Sequence, residues 1–227
     1  MDLSGNPAIV STLDPLGKLL HLEELNLKDC TGFHGGMHAL SKLHALKDLN
    51  MGNCKGVDGT LEPLGACKAL FSVRVYYTGL SGDLKPLSKL ACLENLFAMN
   101  CDLNGDFKPL ALCTKMRYLK LNGVTGLEGE LDFVSKMDVL KELSLCGTGL
   151  SGPLDALARC VWLESVNLNG TGVTGNLEPL RQLTELKRLE LRNCPLLNGS
   201  PSPLASLPEL EKLRITAEVR QLYNQMR

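Results

Sequence analysis

Leucine and its apolar substitutes recur along this chain in one spacing, L-x-x-L-x-L, with polar residues between them. Leu163-Glu164-Ser165-Val166-Asn167-Leu168 is one instance, and the figure returns every 23 or 24 residues. Its L-x-L centre alternates with period two, which predicts a short strand with apolar side chains inward and variable ones outward. A glycine-bearing turn follows, and then the ending G-x-L-x-P-L-x-x-L. Pro15, Pro63, Pro86, Pro109, Pro179 and Pro203 share one slot of that ending. Proline opens a helical turn but cannot sit inside a helix, so each return segment starts there and is short. A second turn glycine recurs at Gly35, Gly59, Gly82, Gly105, Gly129, Gly152, Gly175 and Gly199. It points to a backbone angle or a close approach that a Cβ would obstruct. A fixed period of this length predicts a solenoid, in which each unit buries its apolar edge only against its neighbours. Full units run over 20–43, 44–67, 68–90, 91–113, 114–137, 138–160, 161–183 and 184–207. The first strand of every unit is expected to join one parallel sheet.

This template resembles the leucine-rich repeat family over roughly residues 1–215, as about nine to ten units. The ending is similar to that of the plant-type class. The slot of the usual ladder asparagine holds Cys30, Cys54, Thr78, Cys101, Val124, Thr148, Thr171 and Cys194, which resembles the cysteine-containing classes. The resemblance implies an α/β fold: a curved leucine-rich repeat solenoid with its parallel sheet on the concave face and short 3-10 or helical returns on the convex side. It also implies a recognition scaffold. The first unit lacks its opening leucine, so either a longer natural chain or another protein is expected to cover that end. Beyond Ile215, Val219, Leu222, Tyr223 and Met226 fall at helical spacing behind Thr216 as N-cap, which predicts a C-terminal capping helix over 216–227.

Composition changes this picture little. Apolar residues make up 44% of the chain and aromatic residues 4%, as a core of stacked leucines requires. A net charge of −1 supplies no global field for nucleic acid or a membrane surface. No apolar run approaches the roughly 18 residues of a membrane span. Seven of the nine cysteines occupy core slots: four in the ladder slot, with Cys67, Cys113 and Cys160 in the closing slot. They read as buried, reduced thiols, so a reducing compartment, the cytoplasm, is expected. The triplets Asn169-Gly170-Thr171 and Asn198-Gly199-Ser200 are read as chance products of asparagine-rich turns. His34 and His38 flank turn glycines, so no metal pair is expected of them. Two G-x-G-x-x-G strings, from Gly147 and from Gly170, are variants of the repeat turn and not dinucleotide loops. No triad order stands out. The expectation is therefore no enzyme, no cofactor and no metal.

The outward strand positions carry the individual information. Tyr76, Tyr77, Phe97 and Tyr118 fall on them in three adjacent units, bordered by Arg74, Met99 and Lys120. Nothing in the scaffold calls for large apolar side chains there, and aromatic and arginine clusters are the stuff of interface hot spots. These seven residues form the expected partner-binding site, for a protein or peptide on the concave face. A basic group at Arg188, Arg192, Lys212, Arg214 and Arg220 is diluted by Glu190 and Glu211 and reads as an ordinary exposed face, without nucleic acid. The alternatives are a structural accessory subunit of a larger assembly, or the recognition segment of a longer signalling or ubiquitin-ligase protein.

Overall fold

The computed structural model describes residues 1–216. Apart from Thr216, its expected N-cap, the helix expected over 216–227 therefore lies outside the described residues. Glu24–Asn26, Asp48–Asn50, Ser72–Arg74, Asn95–Phe97, Tyr118–Lys120, Glu142–Ser144, Ser165–Asn167, Arg188–Leu191 and Lys212–Ile215 form one nine-stranded parallel sheet in chain order. The register preserves the repeat: Leu49 lies beside Leu25, Leu119 beside Leu96, and Leu189 beside Val166. The partial first unit joins through a bridge from Asp2 to Asn26.

The segment expected as a plain turn is more ordered than that. His34–Gly36, Gly56–Thr60, Gly79–Gly82, Asp102–Asp106, Gly126–Glu130, Gly149–Pro153 and Gly172–Thr174 form a second, seven-stranded parallel sheet. Glycine makes the close stacking possible. A Cβ on Gly126 would stand 2.7 Å from the Leu103 carbonyl oxygen of the preceding unit. The second turn glycines, Gly35 to Gly199, all adopt positive φ between 83° and 127°, a region that L side chains rarely enter. Their recurrence thus has a backbone cause.

Short returns close each unit. Seven of the eight 3-10 turns have a five- or four-residue form such as Glu62–Ala66 or Leu154–Leu157 in a full unit, and the first, Asp14–Lys18, belongs to the partial one. Pro15, Pro63, Pro86, Pro109 and Pro179 sit in their first turns, where no amide donor is needed. Pro203 does the same in the one α-helical turn among the described residues, Ser202–Ala205. One continuous core runs from Leu13 to Ile215 between these layers.

Inside that core, cysteine and threonine take the place of a ladder side chain. The Cys54 thiol donates to the Leu27 carbonyl of the preceding unit at 3.0 Å, and Cys101 and Cys194 donate likewise to Val75 and Leu168 at 3.1 Å. Thr78, Thr148 and Thr171 instead donate to a carbonyl three residues back, at 2.7–2.8 Å. Val124 is the exception, with no donor to offer. The closing-slot thiols Cys67 and Cys113 point at Leu40 and Leu87 carbonyls. Burial pushes the Cys67 and Cys113 thiols up to about 11 and Cys160 to about 12. They therefore remain protonated donors at neutral pH. The seven cysteines in core slots are all buried; Cys92 is exposed and Cys146 half-buried, and all nine are free.

Candidate binding face

The outward side chains of the nine-stranded sheet fall into rows, because parallel strands in register stack equivalent positions. One row holds Ser72, Asn95, Tyr118 and Glu142. The next holds Arg74, Phe97, Lys120 and Ser144. Beyond the strand ends, the Tyr77 and Asn100 amides bond to the Met99 and Asn122 carbonyls, which carries a third row through Tyr76, Met99 and Asn122. Six of the seven expected site residues therefore share one sheet face.

Tyr77 differs. It sits one residue past that face, in the turn, with φ of 55°. The same turn position is left-handed in Asp29, Asn53, Asn100, Gly123, Gly147, Gly170 and Asn193. Glycine, asparagine and aspartate tolerate that region, whereas a bulky side chain there is an outlier. Tyr77 is nonetheless 47% exposed, with its ring edge-on to Tyr76 at 6.1 Å between centroids. Tyr76 leans back over the preceding unit, where Gly52 leaves it room: a Cβ on Gly52 would overlap the phenol ring. Phe97 lies under the Lys120 ammonium, 5.6 Å from the ring centre. The four aromatics are thus not one stack. They are a Tyr76/Tyr77 pair, a Phe97/Lys120 pair, and Tyr118 two residues nearer the strand starts.

The bordering charges are engaged within the sheet. Arg74 Nη2 lies 2.7 Å from Asp48 Oδ2, and its Nε donates to Ser72 Oγ at 3.2 Å. Lys120 Nζ lies 2.8 Å from Glu142. The outward asparagines also serve the scaffold. Asn122 Oδ1 accepts from the Cys146 amide and from Ser144 Oγ, both at 2.9 Å, and Asn169 Oδ1 accepts from the Arg192 amide at 2.7 Å. Such side chains are tied to neighbouring units and are poor candidates for partner contacts.

Residues 185–207 match the Leucine Rich Repeat family model. In solved structures, a leucine-rich repeat protein of Leptospira interrogans aligns over 100% of this chain and 58% of its own, at 19% identity and a TM-score of 0.79. The fold is that of a leucine-rich repeat protein. A TDR receptor aligns over 88% of this chain and 40% of its own, at 20% identity and a TM-score of 0.75. A plant peptide hormone receptor, RGFR1 in complex with RGF2, aligns over 92% and 46%, at 21% identity and a TM-score of 0.55. The chain spans between 40% and 58% of the length of these three structures. No curated protein matches it in sequence.

The other motifs resolve into repeat geometry. Both G-x-G-x-x-G strings run through second-sheet strands, Gly149–Pro153 and Gly172–Thr174, into 3-10 turns. His38 Nε2 lies 2.7 Å from Asp14, while His34 Nδ1 faces the Gly32 carbonyl at 3.2 Å. No helix among the described residues is long and apolar enough to cross a membrane. Of the basic group, Lys212 and Arg214 both reach Glu190, at 2.8 and 3.8 Å. Lys212 and Asn169 hold the Glu190 carboxyl below its ordinary range, with Lys212 the larger cause.

One surface residue stands outside the repeat pattern. Trp162, the only tryptophan, is 55% exposed beside Val139 of the preceding unit. Its slot, just ahead of the strand's opening apolar residue, holds His21, Ala45, Ala69, Cys92, Lys115, Val139, Glu185 and Glu209 in the other units. A tryptophan in a slot that needs no large side chain is the signal by which the sequence could have marked it.

Proposed function

We propose that this leucine-rich repeat chain is a recognition module that binds a protein or peptide on the open, concave face of its nine-stranded sheet. It acts as a scaffold and catalyses nothing. The reading rests on one observation. Tyr76, Phe97 and Tyr118 stand on three adjacent strands of that face, where the fold itself needs no aromatic side chain. Met99 and the turn residue Tyr77 extend the same surface, while Arg74 and Lys120 brace it. The likeness to a receptor described as a peptide hormone receptor supports the class of ligand. The protonated interior thiols favour a reducing compartment, the cytoplasm, over an oxidising one.

The test is quantitative affinity capture from the source cell with the wild-type chain and a Tyr76→Ala/Phe97→Ala variant. The variant should keep its unfolding midpoint and lose the specifically captured partner, each anchor being worth about 2 kcal/mol of binding. Equal capture of the same proteins by both chains overturns the assignment. A second reading, an accessory subunit of a larger assembly, draws on exposed apolar side chains in and just after the partial first unit, Val10, Leu19 and Leu20. Protection of those residues by the captured partner, with Tyr77 still accessible, would select it.

A further inference from the structure

The aromatic residues of the sheet lie on an oblique line. From Tyr76, one strand over and two residues back is Phe97; the same step leads to Tyr118. A third such step lands on Leu140, which is fully buried; the exposed side chain beside it in sequence is Val139, ahead of the strand Glu142–Ser144. At Val139, beside the end of the aromatic line, the surface opens into a cleft of about 370 Å³ lined by Val139, Trp162, Glu94, Lys115, Arg117 and Lys141. From Tyr76 to Trp162 the line crosses four strand spacings and about seven residues of rise, roughly 30 Å in all. That is the reach of roughly nine residues of extended chain.

The cleft has a definite chemistry. Val139 is 44% exposed and Trp162 55%, so an apolar side chain seated between them removes water from both. Three cations surround that seat against one lining carboxylate. Arg117 lies 3.7 Å from Glu94, and Lys141 lies 3.2 Å from Glu164, outside the cleft. Glu164 is itself shared with Lys187 at 3.3 Å. Lys115 has no ion-pair partner among the described residues. The lining thus carries an excess of positive charge around an apolar floor, which complements a carboxylate beside an apolar anchor.

We infer that the Val139/Trp162 cleft is the end subsite of the binding face, and that it takes an apolar side chain flanked by Asp or Glu in an extended acidic peptide laid along the line from Tyr76. This rests on the peptide-binding reading above. The rest of the peptide lies over Tyr118 and Phe97, so the two regions read one ligand.

The experiment pans a displayed library of random twelve-residue peptides on the 227-residue chain, on a Trp162→Ser/Lys115→Glu variant and on the Tyr76→Ala/Phe97→Ala variant. Wild type is expected to enrich peptides with an aliphatic or aromatic residue next to Asp or Glu. The Trp162→Ser/Lys115→Glu variant should lose that signature, and the enriched peptides should bind it at least about tenfold more weakly. Trp162 is the only tryptophan, so its emission reports the subsite directly: an enriched peptide should shift it to the blue. Peptides without the acidic–apolar signature, equal binding to the Trp162→Ser/Lys115→Glu variant, or an unmoved emission overturns the assignment. If enriched peptides depend on Tyr76 and Phe97 but not on Trp162, the end subsite fails while the face reading stands. If they depend on Trp162 alone, the cleft stands as a site and the face reading fails. No enrichment on any chain removes both.

Discussion

The strands from Ser72 to Lys120 and those from Ser165 to Ile215 share an interior and differ outside. Inward, Leu119 and Leu189 are both fully buried and occupy the same slot. Outward, the earlier strands show Tyr76, Phe97, Met99 and Tyr118, whereas the later ones show Glu164 held by Lys141 and Lys187, and Glu190 held by Lys212 and Arg214. On the later face Glu164 and Glu190 find cationic partners in neighbouring units, whereas Arg188 and Arg192 make no ion pair among the described residues. The earlier face leaves apolar rings partly in water, and only a partner can remove them from it. Repeat architecture allows this division because each outward position is decoupled from the core slot beside it.

The shared interior is the first thing to challenge. Leu119→Ala and Leu189→Ala should each cost about 2–5 kcal/mol, and similar amounts, in urea unfolding. A large inequality between them would mean that the two regions differ inside as well. Next in size is Gly52→Ala. The added methyl displaces the Tyr76 ring from its seat, so partner binding should fall by about 2 kcal/mol, as for a lost anchor, while the fold persists. Unchanged binding would show that Tyr76 does not act from the position described.

The turn offers a finer contrast. Tyr77 and Asn193 occupy the same left-handed position in the two regions, at φ of 55° each. Tyr77→Asn should stabilise the chain by about 1 kcal/mol and Asn193→Tyr should destabilise it comparably, as strain at such positions predicts. Tyr77→Asn should also weaken capture of the partner, which would identify the strained tyrosine as one kept for binding. No gain in the unfolding midpoint would remove the strain argument.

The smallest effect concerns acid. Lys141 and then Lys187 hold the Glu164 carboxyl below its ordinary range, as Lys212 chiefly does for Glu190. A depressed carboxyl stabilises the fold above its unfolded value and loses that contribution as pH falls through the folded value. Below about pH 4, amide exchange should therefore quicken in the later strands before the earlier ones. The loss is under about 1 kcal/mol, because such surface pairs are solvent-screened. Uniform acceleration along the solenoid would deny the later face its electrostatic character.

Much of this was legible in the residues. The L-x-L alternation locates all nine strands of the main sheet, and the cysteine slots anticipate which seven thiols are buried. The second sheet was not legible, because a three- to five-residue ladder rich in glycine has no alternation to betray it. The outward columns could be read as columns, but not the ties within them. That Asn122 and Asn169 serve neighbouring units, or that Arg74 is taken by Asp48, depends on side-chain reach across strands. Trp162 was visible as an anomaly, yet its meeting with Val139, Lys115 and Arg117 was not.

The residues alone dictate the period, the inward core, the backbone demand for glycine and the placing of aromatics in three neighbouring units. These follow from interactions a few residues long, or from one repeat stacking on its copy. The tertiary structure decided which outward groups remain available. That outcome turns on the stagger between strands about 5 Å apart, which sets Tyr76, Phe97 and Tyr118 on one oblique line and opens the cleft at Trp162.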